Sequence, residues 1–352
     1  MRPHFAQVRE GIAAGEPTLH KLATVLALAA LLVMGSARAQ SDPNSYPDPY
    51  RMVESWAQLP TGRKLGQVIG VQVDPDGKSI WAFDRCGGSG CMGSGLAPIF
   101  EFDASGGMTR NFGAGLFLVP HGFAVDRDGH VWTTDAGGKD GKGQQAIEFD
   151  RTGRELRRLG TAGVSGETST TFFSPTAVTI ASDGAVFVAD GHVNSRIVKF
   201  DKDGHYVKAW GRKGRGPGEF NTPHALAIDS QGRLFVADRG NNRLQIFNED
   251  GGFVDEWRQF GRPSGIFIGP DDTIYVADSD STDKTNPGFK QGIRIGSARD
   301  GVVRFFIPTE GDGPAEINGR GTSTEGVAAD AAGNVFGGET ANGQTLRKYV
   351  KE

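Results

Sequence analysis

The stretch EFNTPHALAIDSQGRLFVADRGNNRLQIF, residues 219–247, decides the architecture. Its apolar run Ala225-Leu226-Ala227-Ile228 ends at Asp229-Ser230-Gln231-Gly232, a tight-turn signal in which glycine accepts positive φ and aspartate bonds its own backbone. Residues 233–237 and 243–247 predict two more strands, the last alternating through Arg243-Leu244-Gln245-Ile246-Phe247. His224, Asp238 and Arg239 stand at the strand ends, where a propeller presents side chains toward its axis.

The unit repeats. Pro120-His121-Gly122-Phe123-Ala124-Val125-Asp126 is followed by Val131-Trp132-Thr133-Thr134-Asp135, and copies begin at Pro175 and Pro263, each ending its second strand in Ala-Asp. Weaker copies run over residues 69–84 and 325–339, making six. Six units over residues 40–352 come to about 52 residues each, near the ~40–50 of blade-forming repeats. Turns such as Asp74-Pro75-Asp76-Gly77 and Asp201-Lys202-Asp203-Gly204, with no helical period between them, predict an all-β six-bladed β-propeller rather than a sandwich or a βαβ fold.

Outside the repeats, residues 22–34 form an apolar run behind Lys21, followed by the small-x-small site Ala37-Arg38-Ala39. This predicts a secretory signal over residues 1–39 and a periplasmic or secreted protein, with no later span. Residues 40–60 read as an entry arm before a propeller over residues 61–352, with Met52-Val53-Glu54-Ser55-Trp56 expected to close the last blade beside residues 346–350. Of 38 basic and 42 acidic side chains, four and two lie in residues 1–39, so cleavage leaves a net charge of −6. Such a chain lacks the basic field that nucleic acid requires, and a monomer is expected. Cys86 and Cys91 bracket a glycine-rich loop; an oxidising compartment favours a disulfide there over a free pair or a metal clip. Residues 136–143, 160–173 and 279–297 read as insertions at one rim.

Aligned on the position five residues before each strand-end turn, the units carry Ile69, His121, Thr176, His224, Ser264 and Glu325. Ligand-capable groups thus fall on every second blade, about 120° apart around a six-fold ring, and converge on the axis. Two imidazoles and a carboxylate suit Zn²⁺, and three protein ligands leave a position open. The structural alternative is a buried histidine that only bonds a neighbouring carbonyl. His192, after a second strand, reads as a proton carrier or as a surface histidine. Arg85 and Arg239, also after second strands, clamp a carboxylate or brace the adjacent acid. His130 and His205, beside Asp-Gly turns, read as solvent-facing. The segment around Gly141-Lys142 lacks the serine or threonine of a phosphate loop, and no Gly-x-Ser-x-Gly elbow occurs.

The Pro-His openings, Ala-Asp-Gly-His-Val-Asn-Ser-Arg-Ile-Val-Lys-Phe at residues 189–200 and Ala-Asp-Arg-Gly-Asn-Asn-Arg-Leu-Gln-Ile-Phe at residues 237–247 resemble NHL-repeat six-bladed propellers, and within them peptidyl-α-hydroxyglycine α-amidating lyase. The resemblance is strongest over residues 119–247. It implies a zinc lyase that splits the N–C bond of a C-terminal α-hydroxyglycine into an amide and glyoxylate. By position, His121 and His224 match two of three zinc histidines, and Arg85 and Arg239 match active-site arginines. Glu325 stands at the third histidine position, His192 at that of a tyrosine, and Gly326 where an aspartate accompanies a structural Ca²⁺. Three functions are therefore weighed: a metal-dependent lyase acting on a small or peptide-terminal substrate with a carboxylate, a propeller hydrolase such as a lactonase, and a non-catalytic NHL scaffold.

Overall fold

A computed structural model describes residues 42–309, 324–340 and 346–352. The expected leader lies outside the described residues. Six four-stranded antiparallel sheets form the blades. Their innermost strands are Val68–Val73, Pro120–Val125, Pro175–Ile180, Pro223–Ile228, Pro263–Ile268 and Thr324–Ala329. Each touches the inner strands of both neighbouring blades, blade six against blade one included, so the ring is closed. Among the described residues no helix is long and apolar enough to cross a membrane.

Closure uses the two ends of the propeller. Tyr50–Val53 pairs antiparallel with Leu346–Lys351 as the outer strand of blade six. This strand starts and stops earlier than residues 52–56, because Ser55 takes φ 53° and turns the chain. Trp56 then packs between blades, 4.9 Å from Phe336 and 5.8 Å from Phe102 by ring centroids. Residues 136–143 are not an irregular insertion: Val131–Lys139 and Lys142–Phe149 extend the second and third strands of blade two into a long hairpin. Likewise Gly292–Ser297 is the third strand of blade five, so the insertion there ends earlier than residue 297.

Two features of the inner strands matter for the centre. Every one carries a register shift, between Val68 and Gly70, Pro120 and Phe123, Pro175 and Ala177, Pro223 and Leu226, Pro263 and Gly265, and Thr324 and Gly326. A bulge bends the strand and re-aims a side chain. The residue after each axial position is glycine or alanine: Gly70, Gly122, Ala177, Ala225, Gly265 and Gly326. A Cβ on Gly122 would meet the Ala177 Cα at 2.6 Å, and one on Gly326 would meet the Val71 nitrogen at 2.9 Å. Small residues therefore let neighbouring inner strands approach closely, and no aspartate side chain fits at 326 without backbone movement.

The acids that end the second strands, Asp84, Asp135, Asp190, Asp238, Asp278 and Glu339, are all buried. They do not face the axis. Asp135 accepts from the Leu118, Val119 and Gly137 amides, and Asp238 from the Asn221 amide, Asn241, Arg243 and Gln245. Five of them, Asp84, Asp135, Asp190, Asp238 and Asp278, accept from amides of the loop that delivers the inner strand, and Glu339 accepts from Thr324 of the inner strand itself. The disulfide forms between Cys86 and Cys91, with Cα atoms 5.1 Å apart. It shapes the loop that follows Asp84, whose carboxylate accepts from the Gly66, Cys86 and Gly87 amides.

Candidate metal centre

His121 and His224 are buried, 4% and 3% exposed, at the head of the inner strands of blades two and four. Each is fixed by the next blade. His121 Nδ1 lies 2.8 Å from the Thr176 carbonyl, and His224 Nδ1 lies 2.7 Å from the Ser264 carbonyl. A carbonyl only accepts, so each Nδ1 carries the proton and each Nε2 keeps its lone pair. Both Nε2 atoms are buried without a hydrogen-bond partner. The carbonyl bond weighed as the structural alternative exists, but at the other nitrogen, where it orients a donor.

Glu325, from blade six, faces those lone pairs. Its Oε1 is 3.3 Å from His224 Nε2 and 4.0 Å from His121 Nε2. Two neutral imidazole acceptors and a carboxylate at this spacing gain nothing from one another, because none offers a proton. A cation resolves the arrangement. Donors on one tetrahedral Zn²⁺ at ~2.0–2.1 Å lie roughly 3.3–3.4 Å apart, against 3.3 Å and 4.0 Å for the two pairs that Glu325 makes with the histidines.

His192 also arrives here. Its ring centroid lies 4.5 Å from that of His121 and 5.3 Å from that of His224, and one donor atom from each of the three histidines lies within 4.8 Å of the others. The close approach depends on Gly191, where any Cβ would strike the Pro223 carbonyl. His192 remains exposed at the mouth while the other two are enclosed. Desolvation first and the positive charge of Arg85 second push His121 down to about 3; desolvation and then Arg239 lower His224 well below an ordinary imidazole. His192 is displaced downward too, by desolvation and then by His121.

Arg85 and Arg239 are thus electrostatic neighbours of the histidines. Arg85 donates to the Pro120 carbonyl (3.2 Å) and Gln67 Oε1 (2.6 Å), while Arg239 Nη1 lies 3.4 Å from Asp280. The Asn241 and Arg243 side chains do serve the turn, as partners of Asp238. His205 is solvent-facing, its side chain 80% exposed. His130 is half-buried, its side chain 33% exposed, and bonds Glu148 at 2.9 Å. Sequence reasoning missed Arg262 and Asp280; the signal present was Arg262-Pro263-Ser264, an arginine directly before an axial strand.

The NHL repeat model matches residues 220–247. The chain is 34% identical over 203 residues to a Caenorhabditis elegans protein named probable peptidyl-alpha-hydroxyglycine alpha-amidating lyase, covering 52% of this chain and 56% of that one. It is 35% identical over 207 residues to peptidyl-glycine alpha-amidating monooxygenase A of Xenopus laevis, covering 52% of this chain and 21% of that one. In both cases the match spans less than two thirds of the relative. Among solved structures, a gluconolactonase of Xanthomonas campestris superposes with a TM-score of 0.56 at 16% identity, over 87% of this chain and 96% of that one, a likeness of fold. The chain is a six-bladed propeller that matches the NHL repeat over residues 220–247 and is similar to named amidating lyases.

Proposed function

We propose that the protein is an exported, zinc-dependent lyase that splits the N–C bond of an α-hydroxyglycine-type substrate. The observation that carries this reading is the pair of buried, unpartnered Nε2 atoms of His121 and His224, aimed at the Glu325 carboxylate. His121, His224 and Glu325 would hold the ion, which when bound supplies Lewis acidity toward the substrate's hydroxyl. The similarity to named amidating lyases supports the reaction class, and the disulfide supports an oxidising compartment.

The chain's own residues divide the remaining work. His192, kept neutral by desolvation first and then by His121 and Arg239, would take the proton of the substrate hydroxyl as a weak base. Arg85 and Arg239 supply positive charge for the carboxylate that leaves as glyoxylate. The balance is complete: R–CO–NH–CH(OH)–COO⁻ gives R–CO–NH₂ and OHC–COO⁻, with the C–N bond broken, the C=O bond formed and the hydroxyl proton delivered to nitrogen. Glu325 makes the donor set less positive than three histidines would, so the ion is a milder acid.

The test is turnover of N-benzoyl-α-hydroxyglycine by protein with one equivalent of Zn²⁺, followed as glyoxylate released. Chelation, or His121→Ala with His224→Ala, should abolish it; turnover that survives both sinks the reading. The same donor set also suits water activation in a lactonase, whose fold this chain shares. Incorporation of one solvent ¹⁸O into the carboxylate released from a lactone would select that reading, and partner binding that survives chelation without any turnover would select a scaffold.

A further inference from the structure

Arg262, in the loop that enters the inner strand of blade five, folds back onto the turn that carries Arg239. Its Nη1 donates to the Arg239 carbonyl (3.1 Å) and to Asn242 Oδ1 (2.9 Å). Two guanidinium side chains, each 18% exposed, therefore stand together at the mouth. A single carboxylate serves both: Asp280 Oδ2 is 3.4 Å from Arg239 Nη1 and 3.9 Å from Arg262 Nε. These are ion-pair contacts rather than hydrogen bonds, and the Asp280 side chain is 38% exposed. The Nε atoms of both arginines are buried without a hydrogen-bond partner.

Leaving guanidinium donors buried and unmet is costly, whereas a carboxylate bridging two planar forks satisfies them with directed, charge-assisted bonds. The two guanidinium charges face the partly solvated Asp280 and the buried Asp278, which Arg294 already pairs at 3.6 Å, so the cluster favours a further anion. Arg262 is lowered by burial first, with Arg239 adding repulsion. Arg239 in turn acts on His121, His192 and His224, which puts the cluster within electrostatic reach of the axial donors.

We propose that Arg262 joins Arg239 in seating the substrate's carboxylate, with Arg85 adding positive charge from across the axis, and that Asp280 holds this seat loosely until a substrate anion displaces it. The ligand class is a small α-hydroxy or α-oxo carboxylate, whose oxygen on the adjacent carbon points toward the axis. Assigning the seat to a lyase substrate rests on the proposed function; the seat itself rests on the arginines and Asp280. Esters and amides, having no charge to place there, gain nothing from the seat.

The experiment uses the full zinc-loaded protein, with glycolate and methyl glycolate as probes by calorimetry and N-benzoyl-α-hydroxyglycine as substrate. Arg262→Gln should weaken glycolate at least about tenfold, as expected for losing a hydrogen bond to a charged group. Arg262→Lys should recover part of this, and Asp280→Asn should tighten glycolate several-fold by removing the internal competitor. Methyl glycolate binding and zinc content should not move. No glycolate binding by the native protein, unchanged affinity in both Arg262→Gln and Asp280→Asn, or equal changes for the ester would each overturn the seat. Turnover with an unchanged KM in both variants would overturn the seat and leave the lyase reading. The predicted glycolate pattern without turnover would do the reverse.

Discussion

Replacing Glu325 by glutamine should stabilise the metal-free protein and destabilise the metal-bound one. In the structure Glu325 Oε1 lies 3.3 Å from His224 Nε2 and 4.0 Å from His121 Nε2, and both nitrogens are buried acceptors without a donor. A glutamine amide has the same shape and brings two protons. It can donate to His224 Nε2, adding a bond worth about 0.5–1.5 kcal/mol and relieving part of the ~1–3 kcal/mol cost of an unmet buried acceptor. A net gain of about 1–2 kcal/mol follows, on the order of 3 °C in Tm for a domain of this size.

With Zn²⁺ the sign reverses. Glutamine supplies no negative charge, and a loss of about 100-fold in affinity is expected, at the upper end of what altered supporting groups alone produce. At a free concentration 100 times the native dissociation constant, zinc should add about 2.7 kcal/mol to the native protein but only about 0.4 kcal/mol to the variant. Thermal unfolding with and without chelator should therefore show the two melting curves exchange order. A variant that is less stable than native under chelation, or that gains as much from zinc, would refute the donor geometry and return Glu325 to a packing role.

Glu325→His should keep zinc, within about tenfold of native affinity as judged by metal content and competition, because imidazole replaces one donor with another. Gly265→Ala would drive a Cβ into the Glu325 carbonyl; a stability loss of about 1–3 kcal/mol and reduced zinc retention should appear in the same preparation. The metal-free protein should lose stability as pH falls from about 6.5 toward about 3, since His121 is held at about 3 when folded and the unfolded chain binds the extra proton. Its slope is bounded by about 1.4 kcal/mol per pH unit for each such histidine, and His121→Gln should flatten the profile of unfolding free energy against pH. Cys86→Ser frees the loop that carries Arg85, so KM for a carboxylate substrate should rise several-fold with kcat little changed. Closing so short a loop should contribute less than the ~3 kcal/mol of a 15-residue one, as denaturant unfolding can check.

The repeat and the axial register were legible because each depends on local chemistry that recurs. Asp-x-x-Gly turns mark strand ends, and Pro-His openings at His121 and His224 fall a fixed distance before them. What stayed hidden depends on contacts between blades. Which imidazole nitrogen faces the axis is set by the Thr176 and Ser264 carbonyls, and carbonyls leave no trace in sequence. The approach of His192 depends on the missing side chain of Gly191 against blade four. The role of Asp238 was misplaced for the same reason: its partners Asn241, Arg243 and Gln245 surround it only once the blade has folded. Arg262 and Asp280 stand two residues from Ser264 and Asp278, at places where the other blades carry no arginine and no aspartate, so no recurrence marks them.

The inner ring divides its labour between alternating blades. Blades two, four and six present His121, His224 and Glu325, and blades three and five present, at the same register, the carbonyls that lock the two imidazoles. A carboxylate has no proton to give a carbonyl, so Glu325 cannot be held in this way. Its side chain is accordingly more open, 11% exposed against 4% and 2% for the histidines. The bulge in every inner strand aims these positions inward, and glycine or alanine behind each lets the blades close to contact distance. A ring built this way can change one donor without losing the frame, because the aim is set by the backbone of the neighbouring blade and the chemistry by a single side chain. Substitution at Glu325 should therefore alter charge and acidity at the centre while leaving the propeller intact, and substitution at Gly122 or Gly265 should disturb both together.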